Sequence, residues 1–478
     1  MNLHTITFQP DNIAVQAESG TTVLQAQITA GHHPDAPCGG KGTCGKCKVI
    51  IEGTEVLACQ TFIDRDLTVF TGKEETEKIL TTGLAVSTTP EGKYPYVLAF
   101  DIGTTTVVSY LMDGHTGKLA ATASCKNPQG QFGADVISRI EHALQGGSSA
   151  LQDSIRQAMA CLTQELCKKA GITEREIGSV AIVGNTAMHH LLLGIDPKPL
   201  VIPPYMPNVF EALELKNGQV RILPNIAGFV GGDTVGCMVA TRFDRLEEIS
   251  LMIDIGTNGE MVLGNKDRRI ACSTAAGPAF EGAKISCGMR GAEGAVDHVW
   301  LENGQVNYHV IGDVPPEGLC GSGLLDLVAV LLELEIIDES GYLEDKEYTL
   351  CDNVVLTQKD VREVQLAKAA IRAGIELLAE NLGIGVADIP NVYLAGAFGN
   401  YLTPASACRI GMIPPVLLDR IQPIGNAAGE GAKLCALNRE EYLYSQTLAK
   451  NTDFLELASL PQFQDCYVDA LEFSEEEE

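Results

Sequence analysis

The tetrapeptide Asp-Ile-Gly-Thr occurs twice in this chain, at residues 101–104 and again at residues 254–257. The first copy lies in the stretch YVLAFDIGTTTVVSYLMD and the second in SLMIDIGTNGEMVLGN. Both stretches predict a strand, a glycine turn and a second strand. A unit of this kind that is repeated at domain-length spacing predicts two related lobes built on the same plan.

The two turns carry residue types that suit a phosphate group. Glycine allows a tight turn, and the residues after it offer hydroxyl and backbone N–H groups to phosphate oxygens. Asp101 and Asp254 end the two strands and are the candidate catalytic residues, because they can hold Mg²⁺ through water and orient an attacking water. One such turn would be weak support, whereas the pair predicts a triphosphate clamped between two lobes. The predicted nucleotide-binding residues of the two turns are Gly103, Thr104, Thr105, Thr106, Gly256, Thr257, Asn258 and Gly259.

A third glycine-rich segment, LAGAFGN at residues 394–400, predicts a strand that runs into a glycine turn. Gly396 and Gly399 would let an adenine lie against the backbone there. A plain strand-to-helix turn explains this segment equally well on its own.

Two acids also have two interpretations each. Asp233 in GGDTVG would lie near the nucleotide or cap a helix, and Glu281 in GPAFEG would line the cleft or belong to a packed turn.

Three cysteines and four glycines fall within the ten residues CGGKGTCGKC at 38–47. The spacing of Cys38, Cys44, Cys47 and Cys59 differs by one residue, in its first gap, from the plant-type C-x4-C-x2-C…C pattern of 2Fe-2S proteins. The glycines would let the loop wrap closely and turn N–H groups toward cluster sulfurs. A zinc knuckle, which usually shows two short C-x2-C pairs, and four unligated thiols are the alternatives. We predict a 2Fe-2S cluster held by these four cysteines.

The rest of the pattern divides the chain into a small unit and a large one. Residues 1–72 predict an α+β ferredoxin domain of the β-grasp type, with two strands, a helix and two further strands. The polar residues 73–95 have no clear periodicity and are interpreted as a linker. From residue 96 the chain predicts an α/β ATPase with two lobes, the first at about 96–248 and the second at about 249–478.

Composition limits the partners and the location. The net charge of −28 argues against a broad basic face that would bind nucleic acid. The most apolar run, LLDLVAVLLELEII, contains three acids and is too short to span a bilayer, and the N-terminus lacks the pattern of a signal peptide. Fifteen cysteines without an export signal favour a reducing compartment. We therefore expect a cytoplasmic protein that acts without a membrane.

Seven segments of the large unit carry a resemblance to a known family. The segments DIGTTT, GNTAMHHLLLGIDP, GGDTVG, DIGTNGE, AAGPAFEGA, CGSGLLDL and LAGAFGNYL together resemble the C-terminal domain of the reductive activators of corrinoid proteins. That family belongs to the superfamily of acetate and sugar kinases, heat-shock chaperones and actin, and its members carry an N-terminal plant-type ferredoxin domain. The resemblance covers nearly the whole chain. The chain differs from some members in having only residues 73–95, rather than an extra domain, between ferredoxin and ATPase.

The resemblance implies an ATP-hydrolysing iron–sulfur reductase. Such a protein delivers one electron from a 2Fe-2S cluster to a corrinoid protein of a methyltransferase system and converts inactive Co(II) to Co(I). The implied cofactors are the 2Fe-2S cluster, ATP and Mg²⁺. The implied partners are the corrinoid protein and an unidentified electron donor, and a homodimer is one option for its assembly.

Other functions stay open at this point. One is a small-molecule kinase of the same superfamily with a fused redox sensor, although the sequence shows no pocket signature for a sugar or an acyl group. Another is an ATP-gated electron-donor scaffold for a different low-potential enzyme. An activator of radical dehydratases is less favoured, because in those proteins the cysteines of the ATPase lobe itself hold the cluster, whereas here the convincing cysteine set lies in a separate ferredoxin.

Overall fold

The computed structural model describes residues 3–32, 34, 36, 38–42, 45–71, 80–351 and 354–473. The described strands are β1 (Leu3–Gln9), β2 (Ile13–Glu18), β3 (Lys48–Ile51), β4 (Thr54–Leu57), β5 (Leu67–Phe70), β6 (Tyr96–Ile102), β7 (Thr106–Asp113), β8 (Leu119–Lys126), β9 (Ile177–Gly184), β10 (Leu213–Leu215), β11 (Val220–Ile222), β12 (Ser250–Ile255), β13 (Gly259–Gly264), β14 (Arg269–Thr274), β15 (Ala295–Glu302), β16 (Gln305–Val310), β17 (Gly318–Leu319), β18 (Glu347–Cys351), β19 (Val354–Thr357), β20 (Asn391–Ala395), β21 (Ile421–Gly425) and β22 (Asp453–Phe454). The described α-helices are α1 (Val23–Thr29), α2 (Val136–His142), α3 (Ser148–Ala170), α4 (Thr186–Leu193), α5 (Gly232–Thr241), α6 (Gly321–Glu333), α7 (Gln358–Leu382), α8 (Gly396–Tyr401), α9 (Pro404–Arg409), α10 (Ala427–Leu437), α11 (Arg439–Lys450) and α12 (Phe463–Asp469).

The N-terminal sheet has the strand order β2-β1-β5-β3-β4 and packs against α1. Its two central strands, β1 and β5, are parallel, while β1 and β2 form an antiparallel hairpin. Alternation along β1 places Ile6 and Phe8 in the core, where Val23 of α1 also lies. This arrangement confirms the predicted β-grasp ferredoxin fold. Strand β4 was not predicted; the short turn at Glu52 and Gly53, both with positive φ, folds it back on β3.

Two six-stranded sheets form the centre of the large unit and share one plan, and a three-stranded and a two-stranded sheet are added to the second lobe. The strand orders of the two six-stranded sheets are β10-β11-β9-β6-β7-β8 and β21-β20-β12-β13-β14-β22. In each sheet three antiparallel strands, β6-β7-β8 or β12-β13-β14, are extended by a strand that is parallel to the first of them, β9 or β20. The strands β6 and β12 each end with one copy of Asp-Ile-Gly-Thr, so the internal repeat is present in the topology. The predicted two-lobed α/β fold is confirmed.

Helices α5 and α10 lie between the two sheets and join the lobes. One hydrophobic core contains Ala99 of β6, Val235 of α5 and Met252 of β12. The two helices approach closely because a Cβ on Gly431 of α10 would clash with the backbone carbonyl oxygen of Gly236 on α5. Helix α10 comes from the C-terminal part of the chain but also packs against the first sheet. The lobes are therefore coupled through a shared helix layer.

Part of the segment that was predicted as a linker packs against the ATPase domain. Leu80 is buried, and Gly83 forms a β-bridge with Gly425 at the end of β21. Residues 73–79 of this segment lie outside the described part of the chain. The two anchoring contacts belong to the described residues 80–95. A polar, aperiodic sequence can be held in this way, because the contacts use backbone groups and single side chains rather than an apolar face.

The most apolar run of the sequence forms α6 and lies inside the second lobe. Its residues Leu324, Leu327 and Leu331 are buried in the largest hydrophobic core, as expected for a core helix. Among the residues that the structure describes, no helix is both long enough and apolar enough to cross a bilayer.

Candidate nucleotide site and cysteine loop

A cavity of about 330 Å³ lies between the lobes, at the carboxyl ends of β6 and β12. The predicted residues that line it are Asp101, Gly103, Thr104, Thr105, Thr106, Asp254, Gly256, Thr257, Asn258 and Gly396. Two predicted glycines do not line it. Gly259 faces Thr274 of β14, and Gly399 packs on Leu394 of β20. The structure thus brings the two predicted turns together at one cavity, with Gly396 beside them.

Each Asp-Ile-Gly-Thr turn is closed by a backbone hydrogen bond. The N–H of Gly103 donates to the carbonyl of Thr106 at 2.9 Å, and the N–H of Gly256 donates to the carbonyl of Asn258 at 2.8 Å. The first bond spans three residues and the second spans two, so the second turn is one residue shorter. Both turns present hydroxyl and amide groups to the cavity from opposite lobes, which is the arrangement that a phosphate chain between the lobes requires.

Six acids of the described chain line this cavity, and four of them, Asp101, Asp233, Asp254 and Glu260, have carboxyl groups with a raised pKa. Burial raises the pKa of Asp101 and of Asp254 to about 7, and the nearby charge of Asp233 adds to both shifts. Burial likewise raises the pKa of Asp233 to about 6 and that of Glu260 well above its usual value. Carboxylates that are crowded in this way are relieved by a divalent cation, and Mg²⁺ prefers oxygen ligands of this kind. The donor set therefore fits Mg²⁺.

Two asparagines that the sequence analysis missed organise the site. Nδ2 of Asn426 donates to Oδ2 of Asp101 at 2.8 Å, and its Oδ1 accepts from the N–H of Gly429 and caps α10. Nδ2 of Asn185 donates to Oγ1 of Thr104 at 2.9 Å. Both asparagines directly follow a strand that ends in glycine, β21 or β9. A Gly-Asn pair at a strand end is the signal that could have identified them.

The structure also separates the alternatives for the two acids left open above. Glu281 connects the turns, since its Oε2 accepts from the hydroxyl of Thr105 at 2.9 Å and its Oε1 accepts from the hydroxyl of Thr257 at 2.6 Å. Asp233 lies in the first turn of α5, where Gly231 is the N-cap, and its carboxyl group lines the cavity. Both acids therefore belong to the cleft.

The raised pKa of Asp254 predicts a pH-dependent loss of stability in the nucleotide-free protein. An aspartate in an unfolded chain has a pKa near about 3.9, so stability that is present at low pH is lost as pH rises through the folded pKa of about 7. Asp254→Asn cannot ionise at this position. We expect the Tm of the variant minus that of the wild type to be about 2–4 °C larger at pH 8 than at pH 5.5. Calorimetry in EDTA at the two pH values checks this. An offset in Tm that is equal at both would contradict the raised pKa.

The structure describes three of the four predicted cluster ligands. Cys47 and Cys59 are buried and Cys38 is half-buried, while Cys44 lies outside the described residues. The carbonyl of Cys47 accepts from the N–H of Ala58 at 2.8 Å, which holds the strand end that carries Cys59 beside the loop. Burial raises the pKa of Cys47, and the thiols of Cys59 and Cys38 are close enough to add to that rise. Cys47 thus interacts electrostatically with both of the other described thiols of this set.

The backbone of this loop suits an iron–sulfur cluster. The four glycines Gly39, Gly40, Gly42 and Gly45 all have positive φ, between 61° and 81°, which curls the loop tightly. In the described part of the chain, no three His, Cys, Asp or Glu side chains are arranged as a complete metal site, and the fourth predicted thiol falls outside that part. Soft thiol donors on a closely wrapped backbone fit a 2Fe-2S cluster.

Fold and site together define a class of protein. Two repeated lobes around a phosphate-type cavity, preceded by a β-grasp domain with a plant-type cysteine loop, describe an ATPase of the acetate and sugar kinase, heat-shock chaperone and actin superfamily fused to a ferredoxin. Family profiles match the chain in the same order. They are described as the 2Fe-2S iron-sulfur cluster binding domain at residues 6–69, the RACo middle region at residues 96–246, and the C-terminal domain of RACo, the ASKHA domain, at residues 248–478.

Individual relatives agree with these profiles. The corrinoid activation enzyme RamQ of Eubacterium limosum is 39% identical over 413 residues, which are 78% of this chain and 69% of the relative. The Co(II) methylated amine-specific corrinoid protein reductase of Methanosarcina barkeri is 30% identical over 289 residues, 55% of this chain and 53% of the relative. The solved structure of a reductive activator for corrinoid, iron-sulfur protein is 30% identical, with a TM-score of 0.72 and 98% of each chain covered. The chain belongs to the RACo family, the reductive activators of corrinoid proteins.

Proposed function

We propose that this protein uses ATP to reduce the cobalt of a corrinoid protein from Co(II) to Co(I). The observation that carries the proposal is the presence, in one chain, of a paired Asp-Ile-Gly-Thr cavity and a cysteine loop of the plant type. The relatives named as a corrinoid activation enzyme and as a corrinoid protein reductase support the substrate class. The physiological substrate would be the oxidised corrinoid protein of a methyltransferase system.

In this proposal the cavity binds ATP with Mg²⁺. Asp101 and Asp254 would hold the cation through water, and Asp254 would orient the water that attacks the terminal phosphate. The threonine hydroxyls and the turn N–H groups would bind the phosphate oxygens. Gly396 supports this role, because a Cβ at that position would clash with Oδ1 of Asp254 and displace the carboxylate. A glycine is therefore required beside the catalytic aspartate.

The ferredoxin domain would hold the electron carrier through Cys38, Cys44, Cys47 and Cys59. When bound, a plant-type 2Fe-2S cluster supplies one electron at a potential near about −400 mV. That electron would reduce Co(II) to Co(I), and an external low-potential donor would supply its replacement, so that one electron enters and one leaves. Every 100 mV of uphill transfer costs on the order of 2.3 kcal/mol. A coupling free energy of a few kcal/mol between the ATP site and the partner can offset an uphill electron transfer of about 100 mV.

The test is an anaerobic assay with a Co(II) corrinoid protein, a chemical reductant and MgATP. We expect the Co(I) absorption band to appear only when this protein and ATP are both present. Neither the reductant nor ATP alone should overcome the difference in reduction potential between the electron donor and the Co(II)/Co(I) couple. ADP and a non-hydrolysable ATP analogue serve as controls. Transfer of phosphate to acetate or a sugar, without Co(I), would instead indicate the kinase alternative.

A further inference from the structure

The cysteine loop of the ferredoxin domain contacts both lobes of the ATPase domain. On the second lobe, Nζ of Lys46 donates to the carbonyl of Gly288 at 2.7 Å in a partly buried contact. On the first lobe, the backbone of Gly39 lies close to Phe132, because a Cβ on Gly39 would be 3.5 Å from the Phe132 carbonyl oxygen. Residues 39 and 46 lie near opposite ends of the loop. The loop therefore bridges the two lobes.

The contact on the second lobe leads directly to the nucleotide cavity. Gly288 packs so closely on Gly282 that a Cβ on Gly288 would clash with the Gly282 carbonyl oxygen. Gly282 is the neighbour in sequence of Glu281, which accepts hydrogen bonds from Thr105 and Thr257. No side chain separates the two glycine backbones, and packed groups of this kind transmit displacements. A movement of Glu281 would thus move the carbonyl that holds the ferredoxin loop.

The contact on the first lobe leads to the other phosphate turn. The N–H of Asn127 donates to the carbonyl of Thr105 at 2.8 Å. The guanidinium of Arg139 donates to the carbonyl of Gly133, which is the neighbour of Phe132. It also donates to the carbonyl of Thr104, in the first turn. Arg139 is buried, so these bonds are shielded from water. The segment 127–133, which faces Gly39, is therefore bonded to the first turn at Asn127 directly and at Gly133 through Arg139.

We propose that nucleotide binding controls the docking of the ferredoxin cysteine loop, with Glu281 as the positioning residue. The phosphates of ATP and the carboxylate of Glu281 are both acceptors for the hydroxyls of Thr105 and Thr257, and their charges repel. Binding of ATP therefore displaces Glu281, shifts the Gly288 carbonyl and weakens its bond to Lys46. The cysteine loop becomes more exposed, which opens the electron carrier to a partner. The inference rests on the proposed function for the identity of the two ligands, ATP and the cluster, and not on cobalt as the acceptor.

Hydrogen–deuterium exchange on the full-length, cluster-loaded protein tests the proposal. With a saturating non-hydrolysable ATP analogue and Mg²⁺, we expect the amides of residues 38–47 to exchange at least about 5-fold faster than without nucleotide, a typical size for coupling between two sites. Glu281→Gln has no charge to repel the phosphates. We expect it to bind the analogue more tightly than the wild type, because the repulsion is removed, and to lose most of the exchange response. Unchanged exchange at 38–47 in the nucleotide-saturated wild type would overturn the proposal.

A pair of lysine variants isolates the docking contact. Lys46→Met should make the loop exchange fast with and without nucleotide, because the bond to Gly288 is absent in both states. Lys48→Met is the matched control, since Lys48 pairs with Glu55 inside the ferredoxin domain, and it should keep the wild-type response. Iron content measured on both variants verifies that the cluster is retained. A wild-type response in Lys46→Met would overturn the docking contact.

The same samples distinguish this inference from the proposed function. A wild-type protein that shows the exchange response but reduces no Co(II) corrinoid protein would refute the corrinoid substrate and support the inference. A protein that reduces cobalt with ATP but shows no change at residues 38–47 would refute the inference alone.

Discussion

Replacing Asp254 by asparagine is expected to lower ATP hydrolysis by at least about 100-fold, while the visible spectrum of the ferredoxin domain stays unchanged. The amide has the shape of the carboxylate but lacks the charge that would hold Mg²⁺ through water. It is also a poor acceptor for a proton from the attacking water, and a positioned acid or base typically contributes about 10²–10⁴-fold to rate. Phosphate release at saturating MgATP measures the loss.

Two controls separate this loss from general damage. Asp267→Asn changes an exposed aspartate in the turn between β13 and β14, and it should hydrolyse ATP at the wild-type rate. Asp254→Asn itself should be at least as stable as the wild type at pH 8, because the buried charge is removed. Wild-type hydrolysis in both Asp254→Asn and Asp101→Asn would contradict the assignment of the site.

Replacing Cys59 by alanine is expected to abolish Co(I) formation and to leave ATP binding intact. A 2Fe-2S cluster of the plant type requires four thiolates and contains about two irons. Cys59 is buried beside Cys47, so no water-exposed ligand from elsewhere can easily replace it. The purified variant should therefore lack the brown colour, the iron and the labile sulfide of the wild type. Iron and sulfide analysis, with a nucleotide-binding measurement on the same sample, checks the result.

The matched control is Cys161→Ala, which removes an exposed thiol on α3 in the first lobe. It should retain the full cluster and the full rate of Co(I) formation. A complete cluster in Cys59→Ala would contradict its role as a ligand. One zinc and no labile sulfide in the wild-type protein would favour the zinc alternative for the whole cysteine loop.

Much of the fold followed from local patterns in the sequence. The alternating strands of the N-terminal unit and the repeated Asp-Ile-Gly-Thr turns predicted the β-grasp fold and the two-lobed α/β fold, and the structure confirmed both fold classes. Most of the predicted nucleotide-binding residues line one cavity, whereas Gly259 of the second turn and Gly399 of the third glycine-rich segment do not. A glycine in a turn reports that the backbone bends there, but the direction in which it faces depends on the strands packed around it.

The prediction of a linker at residues 73–95 shows the same limit. Its polar composition predicted a linker and no contact with the ATPase domain was foreseen, yet Leu80 is buried and Gly83 pairs with Gly425. Contacts of this kind join residues that are hundreds of positions apart in the chain. They have no local period, so composition and spacing do not reveal them.

The sequence by itself determined the classes of chemistry: thiols at plant-type spacing for a soft metal, and paired aspartate turns for a phosphate with its cation. These depend on residue type and on neighbours along the chain, which the sequence states directly. Only the tertiary structure decided that Glu281 links the two turns, that Asn426 holds Asp101, and that Lys46 of the ferredoxin reaches Gly288 of the ATPase. Each of these is a contact of a few ångströms between distant segments, and its existence depends on how the sheets and helices pack rather than on any one stretch of residues.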